Sequence, residues 1–393
     1  MTFNGKQLYW RANVCQAGRA VSSTTMTPID LTKLKVLPLA QRNSQARLED
    51  ILIDPDATLA PISDQNLSLT IYRCANNITR ARRQGAAVML IYGAHLIKNG
   101  AANIMIRLME RGWLTHLATN GAGVIHDWEF AYAGVSTESV KDNVETGTFG
   151  AWEETGRNIH LAILTGALEG NGFGRSMGQF IMEDGATLPT VESLEAAIVA
   201  APSSALAPAR AELLQALRVH QLAEGRHDVK HPWKKNSVLA QSFRLKVPLT
   251  VHPGIGYDII ANHPMFNGAA IGRAADVDFR LFGAAVEQLD DGVVLSVGSA
   301  IMGPQVFEKS MSCVNNLRLQ AGREIVRDHT MYVVDLQDGG RWDWSKGEPP
   351  KDNPAYYLRF CKSYSRMGGA MHYLQCDNAV FVHHLLQELE KKT

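Results

Sequence analysis

Excess charge of either sign is missing from this sequence: its 39 lysines and arginines match its 39 aspartates and glutamates over 393 residues. A neutral chain has no basic field to hold a phosphate backbone, which argues against nucleic acid as a main partner. Long hydrophobic runs are missing as well. No stretch reaches the roughly 18 apolar residues of a membrane-crossing helix, and the opening MTFNGKQLYWRANVCQ lacks the basic-then-apolar order of a secretory leader. The expectation is a soluble, cytoplasmic protein with no membrane partner. Cysteine is scarce, and Cys15, Cys74, Cys313, Cys361 and Cys376 stand apart without a CxxC pair, against a disulfide framework or a thiolate zinc site. No HExxH occurs, and His252 and His263 are too widely spaced for a helical metal pair, so no metal is expected. GxSxG, the phosphate-binding GxxxxGK loop and the kinase signatures are absent, which sets aside the common hydrolases and phosphoryl-transfer enzymes.

What the sequence does hold is a series of short apolar runs, each ending in glycine or a small polar residue. They are AVMLIY (87–92) before Gly93, LTHLA (114–118) before TNGAG, VPLTV (247–251) before HPGIG, GVVLSV (292–297) before GSAIMG, and MYVVDL (331–336) before QDGG. Buried parallel strands read as nearly continuous apolar runs, and the stretches between them are long enough for helical crossovers. The pattern predicts an α/β fold with a doubly wound, mainly parallel sheet flanked by helices, of Rossmann type. Residues 1–80, broken by Pro28, Pro38, Pro55 and Pro61, read as an N-terminal arm or cap with one helix near 66–83. Residues 81–393 read as the binding domain, with an alanine-rich helical insertion near 185–235 and a loop at 201–207.

Ligands of an open parallel sheet sit outside the carboxyl ends of its strands, so the glycine-rich turns are the candidates. TNGAGVIHD (119–127) has two glycines that let backbone approach a ligand, with Asn120, His126 and Asp127 as polar reach; its plain alternative is a tight turn whose Asp127 caps or packs. GAHLIKNG (93–100) offers His95 and Lys98 to a phosphate or carboxylate, or else a solvated lysine. HPGIGYDIIANHP (252–264) brings Asp258 and two histidines into one stretch. In NPAYYLRFCKSYSR (353–366), Lys362 lies among aromatic residues; a lysine in apolar surroundings can lose its proton and act as a nucleophile toward an imine or carbonyl. The alternative is a surface lysine beside ordinary core.

These segments fall in the order of the recognisable segments of the deoxyhypusine synthase family, which the chain resembles from Ala87 onward apart from the alanine-rich insertion. GAHLIKNG is similar to the family's first strand-loop, which contacts NAD. TNGAGVIHD resembles its TTAGGxEED loop, with Thr119, Gly123, Val124 and Asp127 matching and Ile125 and His126 replacing two acids. The stretch running to HPGIGYDI resembles the one that ends in DGSxGDM, with Gly254 and Asp258 matching and Pro253 replacing the first aspartate. His263 falls at the family's active-site histidine, and VVLSVGSAIMGPQVF is similar to its strand and GGG turn. Lys362 stands where the family has the lysine of its SWGK motif, Pro354 matches the preceding proline, and Tyr356 and Phe360 replace an acid and a tryptophan. CDNAVFVHHLLQEL resembles the closing helix and puts Asp377 at a cofactor position.

The resemblance implies an NAD-dependent transferase that moves an aminobutyl group from a polyamine, through an imine on an enzyme lysine, to a protein lysine acceptor. Lys362 and His263 would be catalytic. Asp258, Tyr356 and Phe360 would bind the amine, and Gly93, His95, Thr119, Asn120, Gly121, Asp127, Gly298, Ser299 and Asp377 would bind NAD. The family's assembly implies a homotetramer. A polyamine needs carboxylates around its ammonium groups, and the acid replaced by Tyr356 is gone. A different NAD-dependent enzyme acting on an amine or amino acid therefore stays open, as does a non-catalytic nucleotide-binding relative.

Overall fold

The computed structural model describes residues 27–340 and 342–392. Six parallel strands form the central sheet: β1 (Val88–Tyr92), β2 (His116–Asn120), β3 (Leu249–His252), β4 (Val293–Val297), β5 (Thr330–Asp335) and β6 (Ala370–Gln375). Their spatial order is β3-β2-β1-β4-β5-β6. The order in which strands are added reverses at the parallel pair β1 and β4, where Val88 opposes Val293 and Tyr92 opposes Val297. This is the order of dinucleotide-binding sheets, with its topological switch point between the first and fourth strands. The Rossmann-type α/β architecture expected from the apolar runs is therefore present.

The helices that position the site are α1 (Gln65–Arg83), α2 (Gly121–Ala133), α3 (Val238–Leu245), α4 (Gly268–Glu287), α5 (Met302–Gln320), α6 (Arg359–Ser365) and α7 (Asn378–Glu390). They cover both faces, and the strands read accordingly. Val88, Leu90 and Tyr92 of β1 join one core with Ile71, Cys74 and Ile78 of α1 and Phe381 and Leu385 of α7. Met89 and Ile91 point the other way, toward Phe282 of α4, Phe307 of α5 and Tyr364 of α6. The alternation follows from the period of two along a strand, and burial on both faces is why the run carries no polar residue.

The expected boundary at residue 80 needs correction. Helix α1 runs across it with Ile71, Cys74, Ala75 and Ile78 fully buried, and Leu31–Thr393 make one compact unit. The portion of the expected arm over 1–26 lies outside the described residues. The alanine-rich segment forms two helices, Val191–Ala200 and Ala207–Val219, between the antiparallel strands Gly185–Leu188 and Gly225–Asp228. No helix among the described residues is long and apolar enough to cross a membrane.

Candidate functional site

At the switch point two backbones touch. A Cβ on Gly93 would stand 2.1 Å from the carbonyl oxygen of Gly298, so only glycine allows the turns after β1 and β4 to lie side by side. Gly298 has φ +61° and packs against the side-chain amide of Asn378 at the start of α7. The Ser299 hydroxyl accepts the Gly303 N–H at 3.1 Å. Ile301, at the N-cap of the 19-residue α5, makes no side-chain capping bond and is 74% exposed. A helix start beside a glycine turn favours an anionic group, although here Ser299 already takes the Gly303 N–H and Pro304 has none to give. The buried Asn378 Oδ1 has no hydrogen-bond partner among the described residues. His95 is exposed after β1.

Four residues expected to meet a cofactor are engaged in caps and buried bonds within the chain. Thr119 is fully buried and donates to the Tyr92 carbonyl at 3.1 Å. Asn120 caps α2 by accepting the Gly123 N–H at 2.9 Å. Asp127 reaches the start of α3, accepting from the Ser237 hydroxyl at 2.6 Å and from the N–H groups of Val238 and Leu239 at 2.9 and 3.1 Å. Burial pushes its carboxyl up to about 6 against the pull of those bonds. Asp377 caps α7, accepting from Ala379 and Val380 at 2.9 and 3.0 Å. Short polar residues at turn ends serve caps as readily as ligands.

Among the segments that follow β1, β2 and β3 lies a cavity of about 240 Å³ whose polar lining includes Lys98, His126, Glu129, Thr137 and Asp258. Its base is a buried network. The Arg42 guanidinium grips Glu129 with two bonds of 2.7 and 2.9 Å, and the Thr155 hydroxyl donates to the same carboxylate at 3.0 Å. Gly134, at φ +66°, ends α2; the chain then pairs Val135 and Ser136 with Arg47 and Ala46. That pairing carries Ser136 back to Glu129, to which its hydroxyl donates at 2.5 Å.

The same hydroxyl lies 2.7 Å from His126 Nδ1. A carboxylate held by a guanidinium only accepts, so the one Ser136 proton goes to Glu129 and the His126 Nδ1–H must donate to Ser136. Nε2 is left as the acceptor nitrogen. Burial, together with the nearby charges of Lys98, Arg42 and His95 and against the pull of Glu129, takes His126 down to about 4. The ring is neutral near pH 7. Asp258 stands over Gly121, the first residue of α2, accepts the Gly254 N–H at 2.7 Å, and is pushed up to about 6 by burial.

Lys362 does not join this group. It sits on α6, in the crossover to β6, and is not among the residues that line the cavity. Its ammonium lies 3.8 Å from the Tyr356 ring centre and 3.9 Å from Glu348 Oε2. These are the partners of a charged amine, not the dry apolar setting expected. Phe360 is core, 6% exposed and tilted against Tyr373. His263 is buried with both nitrogens engaged: Nδ1 accepts the Met265 N–H at 3.1 Å and Nε2 faces Glu153 at 3.3 Å. It has no free position for moving a substrate proton. Among the described residues, no group of three or more His, Cys, Asp or Glu could hold a metal.

No family model matches the sequence, and no curated protein does. Solved structures with a related arrangement include AgrE in complex with ornithine and NAD+, 15% identical, covering 86% of this chain and 35% of that one at a TM-score of 0.41. A Methanococcus maripaludis S2 protein assigned to the LOR/SDH group is 15% identical, with 86% and 74% covered at 0.40. An Entamoeba histolytica protein assigned as a deoxyhypusine synthase is 9% identical, with 84% and 90% covered at 0.36. The chain spans about a third of the length of AgrE. Likenesses at these scores add nothing to what the strand order establishes.

Proposed function

We propose that the chain is an NAD-dependent enzyme acting on a small amine, with NAD across the β1 and β4 turns and the amine in the neighbouring cavity. The observation that carries this reading is the switch point: the turns at Gly93 and Gly298 in contact, beside the start of α5. The backbone of Gly298 and Ser299 and the Met302 N–H at the start of α5 would hold the pyrophosphate, and the Asn378 oxygen would accept from a ribose hydroxyl or the carboxamide. NAD supplies a hydride acceptor when bound. In the cavity, Asp258 would hold the substrate ammonium and His126 Nε2 would accept its proton.

The narrower reading is aminobutyl transfer through an imine on Lys362 to a protein lysine. Lys362 lies apart from the cavity, beside Glu348 and Tyr356, so the wider reading is preferred. Ile301→Asp tests the cofactor site without threatening the fold. Ile301 is exposed, so the substitution removes little packing, while the aspartate charge opposes a phosphate. Calorimetry is expected to give NAD affinity at least tenfold weaker with a melting temperature close to native. Equal affinity in the variant, or no binding to the native chain, refutes the proposal.

A further inference from the structure

Four polar groups lining the cavity are left without a partner that uses them fully. His126 Nε2 is the acceptor nitrogen of a ring whose other side is fixed through Ser136. The Thr137 hydroxyl is buried with no hydrogen bond. Lys98 makes no ion pair among the described residues. Asp258 commits one oxygen to the Gly254 N–H. Glu138, by contrast, is engaged by Gly150, Asn143 and Trp152, and Glu129 by Arg42, Thr155 and Ser136. Thr137 also holds φ at +69°, which a β-branched residue adopts only when its surroundings enforce it. A buried hydroxyl without a bond is costly unless a ligand completes it.

The open groups divide by sign. Lys98 and the Thr137 O–H can only serve, or best serve, an acceptor, and His126 Nε2 and Asp258 an ammonium. A cavity of about 240 Å³ holds roughly eight waters at about 30 Å³ each, which suits a ligand of some ten heavy atoms and is far too small for a dinucleotide. Its apolar wall is Ile125, Phe149 and Ile259. We infer that this cavity binds a small α-amino acid as the zwitterion, its carboxylate on Lys98 and the Thr137 hydroxyl, its ammonium on His126 Nε2 and Asp258, and its side chain against the apolar wall.

The inference names the substrate class for the amine-acting function proposed above and takes its catalytic meaning from that reading; the binding claim is testable alone. A polyamine carries no carboxylate and would leave Lys98 facing like charge, so the site selects against it.

The test is calorimetry on the full chain with L-alanine, L-leucine and L-lysine, their N-acetyl derivatives, butylamine and spermidine, and with NAD in separate titrations. At least one free amino acid is expected to bind, with its N-acetyl derivative and the two plain amines about tenfold weaker or more. Lys98→Met is expected to lose about tenfold and Lys98→Arg to keep most affinity. Thr137→Gly removes the hydroxyl and relieves the positive φ, so affinity falls while the melting temperature holds or rises. NAD affinity stays unchanged in all three variants. Absence of amino-acid binding by the folded chain, binding of butylamine or spermidine as tight as that of an amino acid, or undiminished affinity in Lys98→Met overturns the inference. Failure of NAD to bind while amino acids do refutes the cofactor reading and leaves this one standing.

Discussion

Replacing Asp127 by alanine separates a helix cap from a cofactor ligand, because the two roles predict opposite results. The carboxylate receives the Ser237 hydroxyl and two N–H groups at the start of α3 and is 2% exposed, so its removal strands donors in the core. Losing such a cap costs about 0.5–2 kcal/mol, and the buried donors left unpaired raise this by about 1–3 kcal/mol. A second effect depends on pH. Burial raises the folded-state carboxyl from 3.8 to about 6, so the native chain binds this proton more tightly than the unfolded chain. Stability from the group is therefore full below the unfolded value, falls as pH rises through about 4 to 6, and is flat above. Alanine lacks this dependence. The shift is worth about 3 kcal/mol in all at 1.36 kcal/mol per unit, of which about 2 kcal/mol falls between pH of about 4.5 and 7.5. Urea unfolding of both proteins is expected to show a gap that narrows by that amount over this range, with NAD affinity unchanged. A gap independent of pH, or NAD affinity lost in a variant of native stability, refutes the reasoning.

Arg42→Met leaves the Glu129 carboxylate buried and unpaired and is expected to cost about 3–5 kcal/mol; most of it should return when Glu129 is also changed to Gln, and a denaturant midpoint near native for Arg42→Met alone counts against the network. Incubation with NAD and a polyamine panel followed by borohydride should give no adduct on Lys362 in peptide mass spectra, since Glu348 and Tyr356 hold its ammonium; an adduct there restores the transferase reading. Ile255, Tyr257, Ile301 and Leu336 are exposed apolar residues in the loops that follow the strands and give self-association something to bury, so light scattering is expected to report a homotetramer, and a monomer at micromolar concentration refutes it.

The sheet was legible because its strands are buried on both faces and so read as apolar runs closed by glycine: five of the six were marked to within two residues at their starts. The sixth, Ala370–Gln375, lies at an edge and alternates exposed and buried residues, which no apolar run can signal. The helix expected near 66–83 is α1, and the closing helix was expected from the family resemblance. The site was less legible. An aspartate that caps and one that binds a ligand look alike locally, and what decided Asp127 lies at Ser237–Leu239, 110 residues on. Arg42, Glu129, Ser136 and Thr137 were missed, and His126 and Lys98 were noticed without being chosen. One signal was there: Glu129 lies within the otherwise apolar WEFAYA on a helix buried nearly all round, and a buried acid requires a cation and donors from elsewhere. Which cation comes from 87 residues away is a matter of topology that spacing does not encode.

The strand order also sets a clock. The central strand β1 takes its second neighbour from β4, as Val88 opposes Val293, so during synthesis that edge waits for about 200 further residues, roughly 10–40 s at about 5–20 residues per second. The switch point waits longer, because Asn378 of α7 packs on Gly298. Over that interval VMLIY offers an unpaired, fully apolar edge to any other nascent chain. Truncation just ahead of α7 removes Asn378 and also the bonds from His383 and Gln387 to the Pro55 and Ala57 carbonyls. A protein shortened there loses the packing of Asn378 on the turn after β4 and the tether of its early segment together, and expression yield becomes a reporter of whether α7 was kept.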